Sequence, residues 1–146
     1  MAQTHNNGPL ASGDIQAGDP RGANIGLVVL SQTMLINFDA TLVQSGTLNL
    51  PVNSQIVNVI CDVLTAYNSA TSATLTAGTA AAGTQYVSGV NAKTAGRTIP
   101  TFSAAQLAAM DDIGATAPFV ATVTSVGQPT AGQVRVTVNY VQTTGA

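Results

Sequence analysis

Charge is what this sequence lacks most. Only 7% of its 146 residues are charged and none is glutamate, whereas about 25% is usual in soluble domains. The hydrophobic fraction of 45% is ordinary, so the chain does not combine the low hydrophobicity and high net charge that produce disorder. A lone domain usually carries more charge to stay soluble. The neutral surface therefore indicates contact with other protein, through oligomerisation or assembly into a lattice.

Cationic residues are too few for a polyanionic partner. The chain has four lysines and arginines and a net charge of −2, whereas nucleic-acid binding needs clustered cations. Arg21, Lys93, Arg97 and Arg135 are scattered and predict no basic cluster. No apolar run approaches the ~20 residues of a membrane helix, and the first residues lack the basic start and apolar core of a signal peptide. We expect no nucleic acid, no membrane and no secretion.

The residues that carry catalysis and metal binding are equally scarce. His5 is the only histidine, which leaves no set of ligands for a metal and no serine–histidine–aspartate triad. Asp111 and Asp112 are adjacent on a predicted helix and diverge by about 100°. Asp62 lies on a predicted strand with no second carboxylate nearby in the sequence. Cys61, the single cysteine, reads as a buried structural thiol. We expect no enzyme activity and no cofactor.

Residues 1–24 differ in composition from the rest of the chain. They are rich in glycine, proline, asparagine and aspartate and have no apolar periodicity, which predicts an extended arm. Leu10 and Ile15 are isolated apolar points, while Pro20 and Arg21 belong to a predicted turn. We expect this arm to dock on neighbouring subunits, an unstructured tail being the alternative, and residues 25–146 to form one domain.

From Ile25 onward the chain alternates like β-strands. Two stretches have one wholly apolar face that we expect in the core: Val57, Val59, Cys61 and Val63, and Val134, Val136, Val138 and Tyr140. A Ser-Gly turn at Ser45-Gly46 is expected to separate two short strands. These patterns predict an antiparallel β-sandwich of jelly-roll type.

The uncharged stretch 67–87 raises the question of a strand or a low-complexity linker. Ala73, Leu75 and Ala77 alternate with hydroxyl side chains, which is the period of a strand. Its first half is therefore predicted to be a strand with small inward residues. Thr74 and Thr76 would face outward, where they can meet a neighbouring subunit without burying charge.

One short helix is expected near residue 105. Ser103 followed three residues later by Gln106 is a capping box. Leu107, Met110 and Ile113 are predicted to form its buried stripe, and Gly114 to end it.

Four motifs in a fixed order carry a resemblance to a known family: Leu50-Pro51, TAYN at 65–68, ATLTAGT at 73–79 and PTAG at 129–132. Over about residues 46–142 the chain resembles a family of small tailed-bacteriophage virion proteins. The resemblance implies a head decoration, or cement, protein with a jelly-roll domain that trimerises on the capsid exterior. Some similar proteins belong to head fibres or to the tail. The arm is not part of the shared pattern.

The sequence therefore predicts a structural protein of the virion, assembled in the host cytoplasm. Its expected partners are itself, as a homotrimer, and the major capsid protein. One alternative is a head-fibre or tail component that binds a host surface or carbohydrate. Another is a free carbohydrate-binding module, although aromatic residues, the usual platforms for sugars, make up only 4% of the chain.

Overall fold

A computed structural model describes residues 28–113 and 115–142. The predicted arm, with Leu10, Ile15, Pro20 and Arg21, lies outside the described residues, as does His5. The division at residue 24 stays a prediction. In the described residues the chain forms eight strands and one helix: β1 (Val29–Asn37), β2 (Val43–Leu50), β3 (Ser54–Thr65), β4 (Ser72–Gly78), β5 (Val87–Asn91), β6 (Gly96–Thr98), α1 (Ala104–Asp111), β7 (Ala117–Val126) and β8 (Gln133–Gln142).

The strands form two four-stranded sheets. The first sheet has the order β1-β8-β3-β6 and the second β2-β7-β4-β5. Every pair of neighbouring strands is antiparallel. The chain crosses between the sheets so that the first and last strands pair in one sheet and β2 pairs with β7 in the other, which is the strand order of a jelly roll. The predicted fold class is confirmed.

The core lies between the two inner faces. In the first sheet Val59, Cys61 and the valines at 134, 136 and 138 have no exposed surface. In the second sheet Ala73, Leu75 and Ala77 are at most 2% exposed. The stretch that could have been a linker is therefore strand β4, with its small residues turned inward as predicted.

Val57 departs from the predicted core face. It is 50% exposed, whereas Ile56, predicted to face outward, is buried. The cause is a β-bulge: Ile56 lies opposite Tyr140 and Asn58 opposite Asn139, so that Val57 is an extra residue without a partner. One inserted residue reverses the inward and outward alternation on one side of the bulge. The prediction for Val57 was wrong, and those for Val59, Cys61 and Val63 are confirmed.

The predicted turn at Ser45-Gly46 is also wrong. Strand β2 runs straight through both residues, and Gly46 pairs with Ala121 of β7. A Cβ built on Gly46 would lie 2.7 Å from Sδ of Met34 on β1. The glycine therefore permits a close approach between the two sheets, which is the other common use of glycine within a strand.

The helix begins with the predicted capping box, but the side that it buries differs from the predicted one. Ser103 Oγ accepts from the Gln106 backbone N–H at 3.3 Å, and Gln106 Oε1 accepts from the Ser103 N–H at 2.9 Å, so the capping box is confirmed. Gln106 and Met110 form the buried side, and Gln106 Nε2 donates to the Thr84 carbonyl at 3.3 Å. Leu107 lies about 100° around the helix from Gln106 and is 54% exposed, so its predicted burial was wrong. Gly114 lies outside the described residues.

Two of the four sequence motifs meet in space. Asn68, from TAYN, accepts with Oδ1 from the backbone N–H groups of Thr130 and Ala131 in PTAG, at 2.8 and 3.1 Å. Its Nδ2 donates to Thr130 Oγ1 at 2.7 Å. Next to it, a Cβ on Gly132 would lie 2.6 Å from the buried Tyr67 ring. These contacts between the two motifs therefore join the turn that follows β3 to the turn that precedes β8.

The bulge predicts that the same substitution has different effects on stability at Val59 and at Val57. Val59→Asp places an unpaired carboxylate in the core, where its desolvation costs several kcal/mol, out of a total stability of about 5–15 kcal/mol. Val57→Asp places the same group on the surface two residues away. We expect the first variant to lose cooperative thermal unfolding by circular dichroism and the second to melt within about 2 °C of the unsubstituted protein. Equal effects would contradict the assignment of faces.

Candidate functional site

The threonines singled out by the sequence lie on the outer face of the second sheet. Thr74 and Thr76 are half-buried and alternate with the inward residues of β4. Opposite them on β7 stand Thr124 and Thr122. This arrangement makes a surface of hydroxyl and methyl groups without charge, which we call the threonine face and define by these four residues.

Part of the threonine face is covered by the chain itself. The Ala82 N–H, in the loop after β4, reaches Thr122 Oγ1 at 3.0 Å, and Thr122 has no exposed surface. Within the described part of the chain, the buried Oγ1 of Thr76 has no hydrogen-bond partner. Strand β4 is paired on both sides, with β5 and β7. A partner could therefore reach side chains of this face and not the backbone of β4.

The outer face of the first sheet carries a cluster of charges. Asp62 on β3 accepts from Nε and Nη2 of Arg97 on β6, at 2.6 and 3.2 Å. It also accepts from Nη2 and Nε of Arg135 on β8, at 2.9 and 3.3 Å. The Asp62 side chain is 9% exposed, while those of Arg97 and Arg135 are 61% and 41% exposed. One carboxylate therefore joins three strands of the sheet.

The cluster fixes the protonation of Asp62. Hydrogen bonds from Arg97 hold the pKa of the Asp62 carboxyl below its usual range; those from Arg135 and both cationic charges act the same way, and partial burial opposes them. The carboxylate stays ionised and fully engaged at neutral pH, a poor state for a proton donor or acceptor. Its role in the geometry is to hold two guanidinium groups in place.

No motif in the sequence indicated this cluster. Arg97 and Arg135 are 35 and 73 residues from Asp62 along the chain, and the expectation that the cations form no cluster was wrong for this pair. Antiparallel pairing aligns Asp62 with Arg97 on one side and with Arg135 on the other. A strand register, not a sequence motif, creates the site.

The other candidate reactive groups in the described structure include a buried thiol and a hydrogen-bonded carboxylate. Cys61 is fully buried, and burial raises the pKa of its thiol to about 12, which confirms a buried thiol. Asp111 accepts from Gln55 Nε2 at 3.2 Å. Within residues 28–113 and 115–142, no three metal-ligating side chains come together. None of the described helices has the length and apolar content to cross a membrane.

A shallow pocket of about 260 Å³ opens at the end of the sandwich where β1 ends and β8 begins. Phe38 lies at its rim, 40% exposed. Gln133 Nε2 donates to Asn37 Oδ1 at 2.8 Å beside it. The lining is wholly uncharged: Asn37, Phe38, Thr65, Ala131, Gly132 and Gln133.

The described chain is thus an eight-stranded jelly roll with a neutral outer face on one sheet and a charged cluster on the other. No family model matches the sequence, and no curated protein does. Among solved structures, a chain of one described as "Cyanophage Pam1 capsid asymmetric unit" is similar, with a TM-score of 0.59 and 24% sequence identity. The match covers 88% of this chain and 98% of that chain. The likeness shows that the two chains share a fold over nearly the whole length of the Pam1 chain.

The Asp62 cluster predicts a specific dependence of stability on pH. Because the folded-state pKa of Asp62 is lowered, its stabilisation is present above the unfolded pKa, near ~3.9, and is lost as the pH falls through the folded value. Asp62→Asn leaves two guanidinium groups facing each other. We expect this variant to melt about 3 °C or more lower at pH 7, and the difference to narrow below pH ~4. Thermal melts from pH 7 to 2.5 measure this.

The control for this experiment is Asp112→Asn, which removes an exposed carboxylate that lies outside the Asp62 cluster. Its melting temperature should stay within about 1 °C of the unsubstituted protein at every pH. A gap between Asp62→Asn and the unsubstituted protein that is the same at pH 7 and pH 2.5 would contradict the ionic role of the cluster.

Proposed function

We propose that the protein is a non-enzymatic structural component of a phage virion. In this proposal it decorates the outer surface of the head as a homotrimer and stabilises the shell formed by the major capsid protein. The observation that carries the proposal is the jelly-roll fold, shared over 88% of the chain with a chain from a phage capsid asymmetric unit. The sequence motifs that resemble decoration proteins support the same conclusion independently.

The surface chemistry supports a role in assembly. The accessible part of the threonine face, chiefly Thr74 and Thr124, presents methyl and hydroxyl groups, which can be buried against a partner without desolvating a charge. Each such contact is weak, so retention on a shell depends on many contacts made together. A trimer multiplies them, because once one subunit is bound the others attach at a high effective concentration.

The sequence of residues 1–24 supplies the second element of the proposal. Leu10 and Ile15 are two apolar residues that could anchor the segment, and Pro20 and Arg21 belong to a predicted turn. An extended segment can add along a sheet edge or lie in a groove, where backbone hydrogen bonds give affinity and a few side chains give register. In the proposal this arm contacts a neighbouring subunit or the shell.

The alternative, a fibre or tail component that binds a host surface, is favoured by the uncharged pocket at the end of the sandwich. An exposed aromatic ring beside amide groups, as Phe38 stands beside Asn37 and Gln133, is a feature of many sites for neutral sugars. Locating the protein in purified particles by antibody labelling in the electron microscope separates the two functions. Labels over the head shell support decoration, and labels at a fibre tip or tail support the alternative.

The oligomeric state gives the first test. Sedimentation equilibrium of the full chain at micromolar concentration should report three times the chain mass of 14.6 kDa. The same protein should co-sediment with phage heads from which it has been removed and should raise the temperature at which those heads release DNA. A stable monomer that fails to bind heads would contradict the proposal.

Removing the arm gives the second test. Deletion of residues 2–22 should leave the melting temperature of the sandwich almost unchanged, because the sequence of the arm lacks the apolar periodicity of a core strand. Retention on heads should fall sharply, since the deletion removes the contacts that the proposal assigns to the arm. Replacing the same residues by a glycine-serine segment of equal length is the matched control for chain length. Retention as tight as that of the full chain would remove the arm from the proposal.

A further inference from the structure

The helix α1 has an exposed face that is unusual for a surface helix. Ala104, Leu107, Ala108 and Asp111 lie along one stripe at helical spacing and are all exposed, Leu107 by 54%. Surface helices normally turn charged or strongly polar residues to solvent. Here the stripe is apolar until its last residue, which is acidic.

The outer face of the first sheet has the opposite character around the Asp62 cluster. Arg97 and Arg135 both bond one carboxylate, which leaves an excess of one positive charge. Each guanidinium has five N–H donors and gives two bonds to Asp62. Near them Leu64 at the end of β3 and Ile99 after β6 are 44% and 55% exposed. This surface, which we call the arginine face, joins apolar side chains to cations.

The two surfaces of one copy cannot meet each other. Asp111 is tied by its hydrogen bond to Gln55, near the start of β3, and Asp62 lies seven residues further along that strand (62 − 55). At about 3.3 Å per residue the separation is roughly 23 Å. Any contact between the helix stripe and the arginine face must therefore join two copies.

We propose that α1 of one copy packs on the arginine face of the next copy, with Leu107 against Ile99 and Asp111 against Arg97. This inference rests on the self-association in the proposed function and names its interface. The surfaces are complementary in both respects: apolar groups meet apolar groups, and an acid meets a surplus cation. Because they lie at different places on the molecule, the contact is head-to-tail, and the proposed homotrimer requires that it close into a ring.

The charge balance favours a second copy over a polyanion as the partner. The whole chain has a net charge of −2 and only four cationic residues, so a polyanion is repelled overall while a single carboxylate is accepted locally. The cluster is also held rigid by Asp62 before any partner arrives. A pre-formed pair of guanidinium groups loses less side-chain entropy when it binds a further carboxylate.

A charge swap tests the contact in the full chain. Arg97→Asp and Asp111→Arg should each raise the dissociation constant for self-association by about tenfold or more. The chain with both substitutions keeps the net charge and restores opposite charges across the contact, while Asp62 still lacks Arg97. Its dissociation constant should therefore be lower than that of either single variant. Sedimentation at several concentrations measures all three. Lys93→Asp, which changes the net charge as Arg97→Asp does, is the matched control and should leave self-association unchanged.

A second measurement does not depend on how the charge variants fold. Chains carrying Ile99→Cys are mixed with chains carrying Leu107→Cys and are oxidised; disulfide-linked pairs of the two different chains should dominate over pairs of like chains. Cys61 does not compete because it is fully buried.

The outcomes separate the two proposals. This interface is overturned, while the homotrimer stands, if neither Arg97→Asp nor Asp111→Arg changes the dissociation constant for self-association. It is also overturned if disulfides between the two different chains are no more frequent than disulfides between like chains. A monomer at all concentrations overturns both proposals. Loss of retention on heads by Arg97→Asp with unchanged self-association overturns the contact between copies and assigns the arginine face to a different partner.

Discussion

The structure depends on the close packing of two sheets whose inner faces are built mostly from valine and alanine. Small and β-branched side chains bring the sheets near enough that at Gly46 even a Cβ would collide with Met34. Aromatic groups are few, and among them the rings of Tyr86 and Phe119 stack with their centroids 5.3 Å apart. A core of this kind fills its volume without many aromatics, because branched aliphatic side chains interdigitate at high density.

Polar groups close the sandwich where this packing ends. At one turn Asn68 holds the segment before β8 with three hydrogen bonds. Along the side, the capped helix spans from β3 to the loop at Thr84 through Gln106. These side chains satisfy backbone groups that the sheets leave open, a requirement for any buried chain end or turn. Two of the motifs on which the resemblance to phage virion proteins rests therefore hold the turns of the sandwich together.

Because the chain has so few charged residues, the arrangement of each one affects the surface strongly. Two of the four cationic residues converge on the one acidic residue that lies within the first sheet, and they leave a net positive spot among exposed apolar side chains. Elsewhere the described surface carries only four charged side chains, Asp39, Lys93, Asp111 and Asp112. In the role proposed above, neutral faces supply contact area and isolated charges supply register.

The sequence by itself determined the β-sandwich, most of its strands, the inward face of β8 and the capping box of α1, because these follow from local periodicity and local hydrogen bonding. It could not determine the face of Val57, which depends on a bulge against β8, or the exposure of Leu107, which depends on what the helix packs against. It could not reveal the meeting of Arg97 and Arg135 at Asp62, nor that of TAYN with PTAG. Those features arise from strand order and register across distant parts of the chain. Each is set by which pairing best buries the two inner faces together, and no local pattern encodes that choice.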